Sequence, residues 1–244
     1  MAKHENFVFS LSLRSPFSIF AHIHRLIMEL AEAIRQRHSV RRYTDKPIPT
    51  EVTNELGLLI KECNRSGDLN MQLVLDEPKA FGGRMARYGS FSGVRNYLAL
   101  VGPKGPSLDE RCGYYGEHIV LRAQQLGLNT CWVGLTYTKV PEAVNIGRNE
   151  KLVAVIAIGY GETQGVQHKS KPVSKVARLH GSEPDWFMRG VEYALLAPTA
   201  LNQQKFLFEY ADGKVSAKTR WGFYADIDLG IAKYHFEIGS GTRL

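Results

Sequence analysis

Apolar and polar positions recur with helical spacing at two places in the first quarter of the chain. From Met28, the apolar residues within 30–34 lie on one helix face and the charged residues on the other, so we begin the fold at Met28. After the extended segment 47–49, Thr50 is predicted to cap a second helix. The apolar stripe of that helix comprises Val52, Leu56, Leu59 and Ile60.

Short apolar runs bounded by turn residues predict strands in the middle of the chain. They are Gln72–Leu75, Tyr97–Val101, Thr130–Val133 and Leu152–Ile158. The runs Tyr97–Val101 and Leu152–Ile158 lack polar alternation, which is typical of strands buried on both faces. A helix is predicted over 114–126, and Gly127 is placed as its C-terminal cap.

The last quarter of the chain predicts one helix followed by a β-hairpin. Ser182, with Asp185 three residues later, is an N-capping signal, and Pro184 suits the first helical turn. The buried stripe comprises Phe187, Val191, Ala194 and Leu195. The hairpin joins Phe206–Tyr210 to a strand at Val215 through the turn pair Asp212-Gly213.

A short pattern occurs twice and suggests two quasi-equivalent halves. A helix, the segment Ser66–Gln72 and a strand are followed 132 positions later by a helix, the segment Thr199–Gln204 and a strand. We therefore predict an α+β fold with a layered sheet, a larger half over 28–172 and a smaller half over 173–244. Residues 1–27 are predicted to be an N-terminal extension outside the fold.

Composition changes this picture little but narrows the classes of ligand. The 244 residues are 44% hydrophobic and carry a net charge of +7, which indicates a globular protein that attracts anions. The charge is not concentrated in a run or on a basic helix with interleaved aromatics, so a phosphate-bearing small molecule is favoured over nucleic acid.

The cysteines and the hydropathy indicate the compartment. Cys63, Cys112 and Cys131 are widely spaced, without the motifs of a zinc site or a disulfide framework. This predicts a reducing cytoplasm. The longest apolar stretch near the start, Phe7–Leu13, is far too short to cross a membrane.

Basic residues and hydroxyls cluster at two places that could bind one phosphate. Arg37–Tyr43 combines several cations with Ser39 at a transition from helix to extended chain, and His168–Pro172 supplies a second pair of cations. Guanidinium groups bind two phosphate oxygens at once, and a serine hydroxyl adds a third hydrogen bond. On its own, the first cluster is better explained as a solvated basic helix end.

Together with the polar loop Ala197–Gln204, these clusters resemble the nitroreductase family of flavin-dependent oxidoreductases. That family carries an Arg-(Arg/His)-Ser-x-(Arg/Lys)-x-aromatic motif, an Ala-Pro-Ser-x-x-Asn-x-Gln loop, a Gly-Leu-Gly-Thr segment and a late Lys/Arg-x-Arg pair. The corresponding segments here are Arg37–Tyr43, Ala197–Gln204, Gly127–Leu135 and Lys169–Lys171. The loop usually follows soon after the first motif, but that slot holds Asn64–Gln72 here, so the chain looks like the subgroup of two-half nitroreductases with an internal pseudo-dimer.

The resemblance implies how FMN would be bound. Arg37, Ser39, Arg41, Lys169 and Lys171 would bind its phosphate and ribityl chain, and His38 would contact the ribityl chain or the ring edge. Pro198, Thr199 and Asn202 would lie against the isoalloxazine, although Asn70 occupies the family's usual slot. Gly134 and Leu135 would present backbone amides near N5, in a turn that reads Val-Gly-Leu rather than the usual double glycine.

The resemblance also implies the reaction and the partners. NAD(P)H would pass a hydride to flavin N5 and be replaced by a nitroaromatic, a quinone or a similar small-molecule acceptor, in ping-pong kinetics without a catalytic side chain. Neither nucleic acid nor membrane is expected as a partner, and the chain would be a pseudo-dimeric monomer or a homodimer. The alternative is a flavin- or nucleotide-binding protein without significant turnover.

Several other residues have structural explanations at the sequence level. Trp132, Phe206 and Phe208 lie in strand patterns and are expected in the core, and Tyr114 and Tyr115 are expected to pack ahead of a helix. The acidic and histidine residues near the C-terminus are expected at strand or surface positions, since no third metal ligand has a recognisable spacing. They are Asp226, Asp228, His235 and Glu237.

Overall fold

A computed structural model describes residues 30–181 and 184–244 of the chain. The helix predicted from Met28 is described over 30–36 (α1), and the prediction for Met28 itself falls outside the described residues. The following elements are α2 Thr50–Gly67, β1 Gln72–Val74, α3 Lys79–Gly82, α4 Arg84–Tyr88, β2 Tyr97–Pro103, α5 Leu108–Gln125, β3 Asn129–Val133 and β4 Glu150–Gly159. The last part contains β5 Ala177–His180, α6 Asp185–Ala194, β6 Phe206–Ala211, β7 Lys214–Thr219 and α7 Ala225–Ser240.

The larger sheet has four antiparallel strands in the order β1-β2-β4-β3. Successive residues of β2 point to opposite faces: Leu98 and Leu100 join the core formed with α2, α5 and α7, whereas Tyr97 and Ala99 join a second core on the other face. Burial on both faces explains why this strand lacks polar alternation, as predicted.

The smaller sheet has the order β5-β6-β7, with β5 parallel to β6 and β6 antiparallel to β7. The predicted hairpin is confirmed, and both of its turn residues have positive φ, 51° at Asp212 and 76° at Gly213. Phe208 of β6 stacks on Phe236 of α7 with ring centroids 4.6 Å apart. The helix therefore attaches the small sheet to the rest of the core.

Helix α7 corrects the prediction for the C-terminal acidic and histidine residues. All four residues, Asp226, Asp228, His235 and Glu237, are helical rather than in a strand; Asp228 and His235 are buried, whereas Asp226 is exposed, as expected of a surface position. Apolar residues surround most of the helix, so it has no single amphipathic stripe to reveal it in the sequence. Two glycines allow its backbone to approach α5: a Cβ at Gly230 would lie 2.0 Å from the Glu110 carbonyl oxygen, and one at Gly113 would lie 2.1 Å from that of Ile227.

Some predicted helix boundaries were wrong. Thr50 is the first residue of α2, and Pro49 occupies the cap position without a side-chain hydrogen bond. Helix α5 begins at Leu108, so Tyr114 lies within it rather than ahead of it. Pro184 precedes α6 as its cap residue, and the capping role of Ser182 falls outside the described residues.

The two-half repeat stays a prediction, as does the division at residue 172. Helix α2 leads into β1 at the edge of the larger sheet, whereas α6 leads into β6 at the centre of the smaller one. Within the described residues, no helix is both long enough and apolar enough to cross a membrane.

Candidate functional site

A cavity of about 130 Å³ lies where β3, the segment after α1, the loop after α6 and the start of α7 meet. Five residues assigned from the family motifs line it: Ser39, Arg41, Gly134, Pro198 and Thr199. They come from three segments that are far apart in the chain. The cavity wall also includes Cys131 and Trp132 of β3.

The segment that carries Ser39 and Arg41 extends the edge of the larger sheet. Ser39 forms a parallel bridge with Thr130, and the Val40 amide donates to the Thr130 carbonyl at 3.1 Å. The segment is therefore fixed beside β3, and Arg41 lines the cavity while remaining exposed. An exposed guanidinium at a cavity mouth can bind an anion without a large desolvation cost.

The loop after α6 carries unusual backbone conformations. Leu201 and Asn202 have φ of 53°, and Gln204 has φ of 45°. Side chains hold this shape, since the Thr199 hydroxyl accepts from the Gln204 amide at 3.1 Å and the Gln204 side chain donates to the Lys169 carbonyl at 2.9 Å. Positive φ in three non-glycine residues is backbone strain of the kind that collects at functional sites.

The Lys169–Lys171 segment is attached to this loop rather than to the cavity. The Asn202 amide donates to the Lys169 carbonyl at 2.9 Å, and the Lys171 ammonium donates to the Gln203 carbonyl. Burial lowers the pKa of Lys171, and the neighbouring charges of Lys205 and Arg220 lower it further. Lys169, Lys171 and Asn202 do not line the cavity.

The turn after β3 reaches the cavity through Gly134 alone. The Gly134 carbonyl accepts a hydrogen bond from the Tyr224 hydroxyl at 3.0 Å, and a Cβ at this glycine would lie 2.4 Å from the Tyr224 ring. Leu135 is 57% exposed and does not line the cavity. Any larger residue at 134 would push Tyr224 away.

Helix α7 supplies the wall that the sequence analysis missed. Tyr224, the cap residue before the helix, lines the cavity together with Ile227, Asp228 and Ile231, and the spacing of the last three places them on one helical face. The sequence could have identified Asp228 as a site residue only if a helix had been predicted over this segment. Without that helix, the spacing of these residues does not indicate that they share a face.

Asp228 is the buried carboxylate of this wall, with 2% of its surface exposed. Its Oδ1 accepts from the Ala200 amide and its Oδ2 from the Gln203 side chain, each at 2.9 Å. Burial raises the pKa of Asp228 to about 6, against the opposing effect of these hydrogen bonds. The carboxyl therefore connects α7 to the strained loop and changes charge near neutral pH.

Arg37, predicted to reach a phosphate, is only 3% exposed and does not line the cavity. Its Nε lies 3.9 Å from Oε1 of the fully buried Glu117, and its Nε and Nη1 have no hydrogen-bond partner among the described residues. Burial lowers the pKa of Arg37, whereas Glu117 opposes this shift, and a guanidinium remains protonated in proteins.

Glu117 connects Arg37 to the cavity wall. Its Oε1 is 2.9 Å from Nε2 of the buried His235, and its Oε2 accepts from the Trp132 indole at 2.9 Å. His235 Nδ1 faces the Tyr193 carbonyl at 3.2 Å and must donate, because a carbonyl only accepts. Glu117 therefore joins Arg37, His235 and Trp132 in one buried network behind the cavity wall.

His38 lies at the edge of the site and does not line the cavity. Its Cβ is 2.8 Å from the position of a Cβ at Gly165, so the side chain is close to the segment that leads to His168. Burial lowers the pKa of His38, and the charges of Arg37 and His168 add to this shift. Among the described residues, no group of three or more His, Cys, Asp and Glu is arranged to hold a metal ion.

Three aromatic residues were expected in the core, and the structure confirms this for two of them. Phe206 and Phe208 are fully buried, as expected. Trp132 is only partly buried and lines the cavity, so the expectation that it is simply a core residue was incomplete.

The family model described as "Putative TM nitroreductase" matches residues 29–240, which is most of the chain. The chain belongs to this nitroreductase family. The match spans both segments that were predicted as halves, and it makes the protein a member of a family of oxidoreductases.

Solved structures with a TM-score of 0.50 or more agree on the fold. A structure described as a "putative nitroreductase" (TM1586) from Thermotoga maritima MSB8 has 24% identity and a TM-score of 0.63, covering 86% of this chain and 82% of that one. B. megaterium NfrA2 has 15% identity and a TM-score of 0.50, covering 68% and 80%. A Desulfovibrio desulfuricans nitroreductase solved with FMN has 21% identity and a TM-score of 0.47, covering 60% and 93%. No curated protein sequence matches the chain.

Proposed function

We propose that this nitroreductase binds FMN and uses NADH or NADPH to reduce nitroaromatics, quinones or similar acceptors in ping-pong kinetics. One observation carries the proposal: three distant segments with the family motifs meet at one cavity, to which they contribute Ser39, Arg41, Gly134, Pro198 and Thr199. Such convergence has no explanation in core packing, because Arg41 is exposed and Thr199 is half-buried.

The residues around the cavity fit a flavin nucleotide. Arg37 lies buried behind the cavity wall, and two of its N–H groups have no hydrogen-bond partner among the described residues, which leaves donors that suit an anionic ligand. Arg37, His38, Ser39, Arg41, Lys169 and Lys171 are assigned to the phosphate and ribityl chain. Pro198, Thr199 and Asn202 are assigned to the ring, together with Gly134 and Leu135.

The chemistry would be supplied by the flavin, which accepts a hydride from the donor and passes it to the acceptor. The protein binds and orients it and sets the electrostatic environment. Ile227 and Ile231 make the inner wall apolar, and the charge of Arg41 favours anionic species in the cavity. Asp228 holds a proton at its carboxyl below a pH of about 6.

The visible absorption spectrum of the purified full chain tests the proposal. We expect flavin bands that bleach under anaerobic NADH or NADPH and return when an acceptor is added. Bands that persist with both nucleotides would favour a flavin-binding protein without turnover. A colourless protein that also fails to take up added FMN would overturn the flavin assignment.

A further inference from the structure

A second cleft, of about 340 Å³, opens directly beside the cavity. It is lined by residues 219–226, which connect β7 to α7, and by Asp109 of α5. Tyr224 lines both spaces. The cleft and the cavity are therefore adjacent, with Tyr224 common to both.

Aromatic rings at this cleft are exposed to solvent. Trp221 is 97% exposed and Phe223 is 50% exposed, and both line the cleft. The Phe223 ring packs edge-on against Tyr224 with ring centroids 4.5 Å apart, whereas the Trp221 indole is almost fully open to solvent, so the cleft presents apolar ring surface to water. A flat aromatic group is the natural complement of such a surface, because rings stack with a favourable geometry.

Three cations lie near one another beside the cleft, and one of them, Arg220, lines it. The Arg220 amide donates to the Lys205 carbonyl at 2.7 Å, and Lys205 Cγ lies 2.9 Å from the position of a Cβ at Gly222. The Lys171 ammonium donates a hydrogen bond to the carbonyl of Gln203, two residues before Lys205. Within the described ranges, none of these three cations is within 4.0 Å of a carboxylate oxygen. This concentration of positive charge favours a polyanion.

Acidic residues are also present, on the α5 and α7 side of the cleft. Asp109 is paired with Lys151 at 3.3 Å, whereas Asp226 is exposed. Carboxylates are suited to accept hydrogen bonds from ribose hydroxyls. The cleft thus offers a stacking surface, a polyanion site and hydroxyl acceptors, which together match a nucleotide.

We propose that this cleft binds the adenosine diphosphate part of a dinucleotide electron donor, with the purine on Trp221 and the phosphates beside Arg220 and Lys205. The inference rests on the proposed function, since the cavity beyond Tyr224 would receive the nicotinamide end. Gln203 connects the two spaces: its side-chain amide donates to the Phe223 carbonyl and to Asp228 Oδ2.

ADP is the probe, because it carries neither a nicotinamide nor redox chemistry. We would titrate the full chain with ADP by calorimetry and compare Trp221→Ala and Arg220→Gln with two exposed controls elsewhere, Tyr88→Ala and Arg65→Gln. Loss of one base-stacking partner is expected to weaken ADP binding at least about fivefold in Trp221→Ala. The controls are expected to bind like the unmodified chain.

Three results would overturn the inference: no ADP binding at millimolar concentration, equal binding by Trp221→Ala and the controls, or a change of sedimentation coefficient in Trp221→Ala without ADP binding. The last would identify an interface between copies of the chain. Flavin content is measured on the same samples. ADP binding by a protein that takes up no FMN would contradict the proposed function alone, and flavin without ADP binding would contradict only the inference.

Discussion

The two walls of the cavity differ in how the sequence encodes them. We call β3, the turn after it and the segment 39–41 beside it the β3 wall; its residues Ser39, Arg41 and Gly134 lie in recognisable sequence motifs. Within each motif, residues that are close in sequence are also close in space. The α7 wall carries Tyr224 and Asp228, which match no motif and reach the cavity only because a buried helix packs there. Substitutions on each wall test two expectations: that the β3 wall binds the ligand, and that the α7 wall sets the shape of the cavity and makes its charge depend on pH.

The largest effect is expected behind the β3 wall, at Glu117. Glu117→Ala would leave Arg37 and His235 without their carboxylate and Trp132 without its acceptor, inside the protein. We expect the free energy of unfolding to fall by about 3 to 5 kcal/mol in urea titrations. The matched control is Glu192→Ala, an exposed glutamate of α6. A loss no greater than that of the control would show that the buried network contributes little.

The titration of Asp228, which lies in the α7 wall, is expected to make the free energy of unfolding depend on pH. Its pKa is about 6 in the fold against 3.8 for an ordinary aspartate, so the folded state holds the proton more tightly and stability decreases as the pH rises through this window. The total decrease is about 3 kcal/mol. Asp228→Asn should lose this dependence and Asp226→Asn, on the same helix, should keep it. If the free energy of unfolding changed with pH in the same way in the unmodified chain and in both variants, Asp228 would not be the group responsible.

Arg41 tests ligand binding by the β3 wall without disturbing the core. Arg41→Ala is expected to weaken FMN binding by about 1.5 to 3 kcal/mol, measured by quenching of flavin fluorescence, while the melting temperature of the apoprotein stays unchanged. Arg42→Ala is the control, since Arg42 is exposed and pairs with Glu162 at 3.2 Å. Equal affinities of the two variants would remove Arg41 from the site. Arg37 is unsuitable for this purpose because its burial makes any substitution destabilising.

The smallest effect is expected where the two walls touch. Tyr224→Phe removes the hydroxyl that donates to the Gly134 carbonyl and leaves the ring in place. We expect a loss of about 1 kcal/mol in the free energy of unfolding, with Tyr88→Phe, an exposed tyrosine, as the control. A larger loss of FMN affinity than of stability would show that this contact positions the turn for the ligand.

Local sequence determined the strands, the hairpin turn and the motif residues of the β3 wall. Apolar runs such as Tyr97–Val101 specify buried strands through their length and the turn residues that bound them, and Asp212-Gly213 specifies its turn through backbone conformation. The phosphate-binding residue types around Ser39 were recognisable because the motif is contiguous. These features depend on neighbours within a few residues, which a sequence displays directly.

Tertiary structure alone decided the burial of Arg37, the α7 wall and the role of Asp228. A helix that is apolar on nearly all sides has no amphipathic signal, so Ala225–Ser240 could not be distinguished from other buried segments. Arg37 is buried beside Glu117, 80 positions away, which in turn contacts His235, 118 positions further along the chain. Charge pairs and packed helices of this kind depend on contacts between distant segments, and those contacts exist only once the chain has folded.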